Sequence, residues 1–187
     1  LWYRRQRQMC IRDRKYCKNI NLANKLRKLC EDQIKDETIG IKAGGTGIQA
    51  LKKLKEKEPF TAKVFKKRLV KSGQKVKINQ HTKGIEVEVY YFIKKSFFDF
   101  KGKVTKSNVT KFIKFMGPCF EIVGFRQRNK KFTYLGDICG DFGFNIRFVV
   151  GRKTKFKKLN LNNLKTSLVS KKNGVKVNGN TNIVYIN

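Results

Sequence analysis

The 187 residues carry 45 Lys and Arg against 13 Asp and Glu, a formal net charge of +32. That length suits one core with extensions rather than two domains, and a fold so charged repels itself unless a polyanion or counterions neutralise it. The sequence holds no run of about 18 apolar residues, so no helix in it reads as spanning a bilayer. From Phe142 to Asn187 there is no acidic residue against ten Lys and Arg. Drift towards AT-rich codons supplies Lys and Asn but does not remove acids, so the depletion reads as selection for a polyanionic partner.

Residues 1–14 look foreign. Arg4-Arg-Gln-Arg-Gln-Met-Cys-Ile-Arg-Asp-Arg14 reads, codon by codon, as the translation of a transposase sequencing adapter, and such scars are set aside from fold reasoning. Without them the charge is still strongly positive, and nothing can be said of a targeting peptide.

Residues 15–69 read as a helical and loop extension. Over residues 18–38, Leu22, Leu26, Leu29 and Cys30 fall on one helical stripe. Gly40, Gly44, Gly45 and Gly47 then break the chain, and a short helix over Gln49–Lys57 turns Leu51 and Leu54 inward before Glu58-Pro59 stops it. From Phe60 the period shortens. Strands are expected at Lys75–Ile78, at Ile85–Tyr90 with Ile85, Val87 and Val89 on one face, and at Phe98–Thr105. Others follow at Thr110–Phe115, Cys119–Phe125, Lys131–Leu135 and Asn145–Val150, with Gly-containing turns such as Gly117-Pro118 between them. Short strands at this spacing predict a mainly β fold over residues 70–165, a small barrel or sandwich. Residues 166–187 read as a basic tail with one hairpin.

Chemistry-bearing residues are sparse. His81 is the only histidine and sits in a turn-like stretch, which suits a solvated or RNA-facing place and leaves no Ser-His-Asp or Cys-His arrangement. Cys17, Cys30, Cys119 and Cys139 form no C-x-x-C pair and read as buried thiols of a reducing compartment rather than a zinc site. Asp137 and Asp141, four apart, would serve a metal-dependent nuclease only with a further acid and a base, and turn formation explains them more simply. Gly44-Gly-Thr-Gly47 lacks the Lys and Ser/Thr of a P-loop and reads as a linker or a loop against an RNA backbone. No motif requires a metal or other cofactor. Basic and aromatic residues interleave over 101–115, 125–134 and 147–158, where cations would neutralise phosphates and aromatics would stack on bases or fill the core.

Three segments in order resemble bacterial-type large-subunit ribosomal protein nineteen. Ser72-Gly-Gln-Lys-Val-Lys-Ile78 resembles its opening strand, and Phe98-Asp-Phe-Lys-Gly-Lys-Val104 a Gln-x-Phe-Glu-Gly-x-Val strand. The stretch from Phe148-Val-Val-Gly-Arg-Lys to Leu164-Lys165 resembles its basic closing strand and turn. The family's Gly-rich hairpin is not recognisable around Phe120–Asp141, and the closing Tyr pair is replaced by Asn162 and Asn163. The resemblance covers residues 70–177 and implies an SH3-like barrel with a structural, non-enzymatic role in the large ribosomal subunit. It implies ribosomal RNA and neighbouring ribosomal proteins as partners, neither membrane nor small-molecule substrate, and a location on a ribosome in a mitochondrion or the cytoplasm.

The residues expected to meet RNA phosphates are Lys101, Lys103, Lys106, Arg126, Arg128, Arg147, Arg152, Lys153, Lys155, Lys157 and Lys158. Two other classes stay open on composition alone: a viral capsid or nucleoprotein with basic arms, and a metal-dependent nuclease using Asp137 and Asp141. A membrane-surface protein fits least, since the cations are scattered along strands rather than gathered on one amphipathic helix.

Overall fold

The computed structural model describes residues 17–126, 134–157, 164–170 and 174–180. The adapter-like segment and the strand expected from Lys131 lie wholly or mostly outside these residues.

The chain opens with helix α1, Ile20–Asp32, whose first turn is closed by Asn19: its side-chain oxygen accepts the N–H of Asn21 at 2.9 Å and of Leu22 at 3.2 Å. The helix forms, but it buries a different face from the Leu stripe. Ala23, Arg27 and Glu31 are buried, while Leu22 is 40% and Leu29 59% exposed. Glu31 Oε1 accepts the backbone N–H of Lys63 at 2.8 Å and stands 3.7 Å from Arg27 Nε one turn away, an ion pair without a hydrogen bond. Small Ala23 lets the helix lie close to a later helix.

Strand β1 (Thr38–Gly44), helix α2 (Ile48–Leu54) and strand β2 (Phe60–Phe65) follow, and β1 and β2 pair antiparallel. The glycines at 40 and 44 thus lie within a strand where the sequence suggested breaks. Leu51 of α2 is buried as expected.

A 3-10 turn leads to β3 (Leu69–Lys71), and then come β4 (Thr82–Ile93), a short helix α3 (Lys106–Val109), β5 (Ile113–Gly124), helix α4 (Leu135–Gly140), β6 (Asn145–Val150) and the two-residue β7 (Thr154–Lys155). They form one mixed sheet in the order β3-β6-β5-β4, with β7 also on β5; β3 runs parallel to β6 and the other pairs are antiparallel. Strands β8 (Lys165–Ser170) and β9 (Val175–Asn180) make a separate hairpin, as expected of the tail.

The fold is mainly β with a few helices. It is not the small closed barrel expected: among the described residues the sheet is open, with β3 and β4 at its edges. One departure from the expected turns is Gly117-Pro118. Instead of turning the chain, these residues sit inside the twelve-residue β5. Gly117 lies opposite Tyr90, whose ring stands 2.7 Å from where a Cβ on Gly117 would be, so the glycine makes room for a ring across the ladder. Two other expected strands are absent. Lys75–Ile78 is irregular with Ile78 exposed, and Phe98–Thr105 gives way to a turn where Phe97, Phe98, Phe100 and Phe112 pack ring on ring, centroids 5.0–5.7 Å apart.

An apolar cluster joins the helices to β2. Ala23 of α1, Leu51 of α2, Phe60 of β2, and Leu135 and Cys139 of α4 are buried together. Leu135 is fully buried at this junction, so Leu135→Ala is expected to lower unfolding stability by about 2–5 kcal/mol, read as an earlier urea midpoint with an unchanged slope.

Candidate metal centre

Side chains two apart on a strand share a face, and in the β4–β5 ladder Glu86 pairs with Glu121 and Glu88 with Cys119. The alternating Glu-Val-Glu of β4 therefore places two carboxylates on the same face as the carboxylate of Glu121. One oxygen from each of Glu86, Glu88 and Glu121 lies within 4.8 Å of the others. Two oxygens on opposite sides of a calcium ion stand about 4.6–5.2 Å apart, and across a magnesium ion about 4.0–4.2 Å. The spacing therefore fits a single ion of this size.

A lysine completes the group. Lys42, on β1, points its ammonium at Glu121 Oε1, 2.6 Å away, and also donates to the carbonyl oxygen of Gly143 at 3.0 Å. Gly143 has a positive φ of 65°, and a Cβ there would stand 2.8 Å from the Phe60 ring and 3.3 Å from Lys42 Cε, so a glycine is needed both for the backbone and for the lysine's approach. Asn145, buried on β6, donates its side-chain N–H to the same Glu121 oxygen at 3.3 Å.

Glu86 and Glu88 are solvent-exposed and only Glu121 is buried. Partial desolvation among its neighbours nevertheless pushes Glu88 up to about 7, helped by the charges of Glu121 and Glu86 and only partly opposed by Lys42. Glu121 is also raised, because its burial outweighs the attraction and hydrogen bond of Lys42. The Cys119 thiol beside them is pushed up to about 12 by burial and by Glu88 and Glu121, which leaves it a neutral wall rather than a thiolate ligand. Three carboxylates thus face one ammonium, an excess of negative charge in a chain of net +32. An all-oxygen, carboxylate-rich donor set with this excess suits a hard divalent cation.

The group opens into a cleft of about 650 Å³. Its walls include the Gly44–Gly47 loop, Lys83 and Ile85 on β4, Phe144, and Leu168 and Val177 of the β8–β9 hairpin. The glycine loop read as a linker therefore borders this site.

The residues expected to bind RNA do not converge here. Lys101 and Lys103 are exposed in the irregular stretch before α3, and Lys106 begins α3. Arg152, Lys153, Lys155 and Lys157 are exposed beyond β6, with the Lys153 ammonium 5.1 Å from the centre of the Phe115 ring. Arg128 and Lys158 lie outside the described residues. Arg126 is largely buried and bound to Asp141 at 3.1 Å, and it borders a common hollow with Arg147. The two acids weighed for a nuclease are buried and structurally engaged: Asp137 accepts the backbone N–H of Tyr134 at 3.1 Å at the start of α4, and Asp141 holds Arg126. His81 makes a 3.1 Å hydrogen bond to the carbonyl of Phe125. Buried Cys119 and Cys139 match the expected thiols, the latter donating to Asn24 Oδ1 at 3.1 Å.

No protein-family model and no curated protein sequence matches the chain. Solved structures do. The chain is similar to 4-oxalocrotonate decarboxylase from Pseudomonas putida G7 complexed with calcium and acetate, with a TM-score of 0.69 and 18% identity over 89% of this chain and 63% of that one. The same enzyme complexed with magnesium and adipate matches with a TM-score of 0.64 and 18% identity, covering 89% and 64% of the two chains. The chain thus spans a little under two thirds of the length of these structures, and the likeness establishes a shared fold.

This fold overturns the resemblance to large-subunit ribosomal protein nineteen and the SH3-like barrel it implied. The three similar segments were a Gly turn, a barrel-type strand and a basic strand; the first two form no strand here, and the third enters β6 in an open mixed sheet. The non-enzymatic ribosomal role falls with it, as do ribosomal RNA and ribosomal proteins as partners, the exclusion of a small-molecule substrate and the ribosomal location. The fold is one on which an enzyme is complexed with metal ions and small carboxylates. The capsid and nuclease alternatives gain nothing from it.

The raised Glu88 carboxyl has a measurable consequence. Its folded-state value of about 7 lies above the ordinary 4.5, so its contribution to stability is fully present below about pH 4.5 and is lost as pH rises through 7. In metal-free protein, Glu88→Gln should become progressively more stable than the unaltered chain between pH 4.5 and 8. Added magnesium should narrow that gap at pH 8, and thermal denaturation across the pH series checks both.

Proposed function

We propose that this chain carries the active site of a divalent-cation-dependent enzyme acting on small carboxylate substrates, with decarboxylation of an oxo-dicarboxylate as its reaction class. The observation that carries the reading is the convergence of Glu86, Glu88 and Glu121 within 4.8 Å of one another, beside Lys42 at 2.6 Å, in an open cleft. The reaction class is taken over from the similar decarboxylase by analogy of fold; the site rests on this chain's own residues.

Glu86, Glu88 and Glu121 would hold a magnesium or calcium ion, which would supply Lewis-acid polarisation of a bound substrate oxygen. The chain's residues do the rest. Lys42 holds Glu121 in place and keeps a proton on Nζ at the inner edge of the cleft, where a substrate carbanion would take it up. The Gly143 carbonyl fixes the direction of that ammonium through its second hydrogen bond. Lys83 adds a positive charge to the same cleft, suited to a substrate carboxylate. Phe144, Leu168 and Val177 give the cleft apolar wall, which limits water around the reacting group.

The test is turnover of 4-oxalocrotonate, followed by loss of its ultraviolet absorbance with and without magnesium. Magnesium-dependent turnover is expected, with Glu86→Gln and Glu121→Gln losing magnesium binding and at least about 100-fold in rate. Lys42→Met is expected to lower kcat by about 100-fold or more and, because it releases the buried Glu121 carboxylate, to change the calorimetric magnesium affinity as well. Magnesium binding that survives all three Glu→Gln substitutions would remove the basis of the proposal.

A further inference from the structure

A second hollow, of about 500 Å³, lies apart from the carboxylate cleft and shares none of its lining residues. It is bordered by the segment after α1, the end of β2, the turn into β3, Arg126 after β5, and β6. Five cations border it: Lys35, Lys67, Arg68, Arg126 and Arg147. Among its described lining residues the only acid is Asp36, whose oxygens accept backbone N–H groups of Glu37 at 2.9 Å and Lys67 at 3.0 Å.

Two of the cations are held in fixed positions. The Arg68 guanidinium lies over the rings of Phe65 and Phe142, 5.4 and 5.1 Å from their centres. The Arg126 guanidinium lies over the same Phe142 ring at 5.7 Å; it binds the fully buried Asp141 at 3.1 Å and donates to the backbone carbonyl of Asn145. Stacking on rings and pairing with a buried carboxylate remove most of the freedom an arginine fork would lose on meeting a ligand. Guanidinium geometry matches phosphate oxygens two at a time. Lys35, Lys67 and Arg147 are exposed and stand at the rim, where longer side chains can close on the same anion. Ile34 and Ile146 add apolar surface for an uncharged part of the ligand.

We infer that this hollow is a binding site for a small phosphorylated molecule, with its phosphate on Arg68 and Arg147, while Arg126, whose Nη1 and Nη2 already serve Asp141 and Asn145, forms part of the wall. The inference stands independently of the reaction proposed for the cleft. The charge of the two sites is opposite: carboxylates converge in one and cations in the other.

The experiment is calorimetric titration of the full chain with inorganic phosphate, pyrophosphate and AMP at about 0.15 M salt, where diffuse surface attraction is screened beyond about 8 Å. Saturable one-to-one binding is expected. AMP binding more tightly than phosphate assigns the site to a phosphorylated metabolite, whereas phosphate or pyrophosphate binding as well as AMP reduces it to a bare phosphate site and overturns the metabolite assignment. Arg68→Gln with Arg147→Gln should weaken AMP at least tenfold. Because Arg68 also packs on two rings, Lys35→Gln with Arg147→Gln, both exposed, provides a pair without that structural role and should weaken it at least fivefold. A charge-matched pair elsewhere, Lys95→Gln with Lys103→Gln, should change it less than twofold. Equal weakening by the matched pair, or no saturable binding, overturns the proposal.

Discussion

The ion pair between Lys42 and Glu121 is the contact on which the site depends. These residues are 79 positions apart, and their charged atoms are 2.6 Å apart with both side chains almost wholly buried. Lys42 belongs to the β1–β2 pair and Glu121 to β5 of the larger sheet, two sheets that share no ladder hydrogen bonds. A buried pair of this kind is a poor source of net stability, since the attraction is largely spent on removing both charges from water. It does fix geometry. Asn145 and the Gly143 carbonyl complete the arrangement, so that the ammonium and the carboxylate each have a second partner.

The distribution of charge then makes sense as a division of labour. Most of the chain is basic, yet three of its 13 acidic residues meet at one point and a fourth, Asp141, is buried beneath Arg126. Like charges brought together and desolvated raise one another's proton affinity, and Glu88 at about 7 is the result. Asn145 stands between this negative centre and the cationic hollow: its amide nitrogen reaches Glu121, and its oxygens accept long contacts of 3.4 and 3.5 Å from Arg68.

Much of the secondary structure was legible because periodicity is local. The alternation from Ile85 to Tyr90 gave strand β4, Asn145–Val150 gave β6, and the Asn19-capped segment gave a helix. The helix face was misjudged because three leucines outweigh an Arg and a Glu by hydropathy, while the burial of Arg27 and Glu31 follows from a partner backbone 32 residues beyond Glu31. Gly117-Pro118 carried a turn signature, and only the ring of Tyr90 on a neighbouring strand explains its place inside β5. The site itself was hidden for the same reason. Glu86 and Glu88 are the residues alternating with Ile85, Val87 and Val89, and nothing in spacing links them to Glu121 until the ladder is known. Two acids alternating in so acid-poor a chain were the available signal. The positive charge, by contrast, was conspicuous and led to a nucleic-acid reading that the fold does not share.

The central claim is that Glu86, Glu88 and Glu121 form one cation site. Crystals soaked in calcium and measured at long wavelength test it most directly. A single strong anomalous peak about 2.3–2.6 Å from an oxygen of each of the three glutamates is the result this account predicts. A map with no peak between those side chains, at a calcium concentration that gives peaks elsewhere on the molecule, would contradict it.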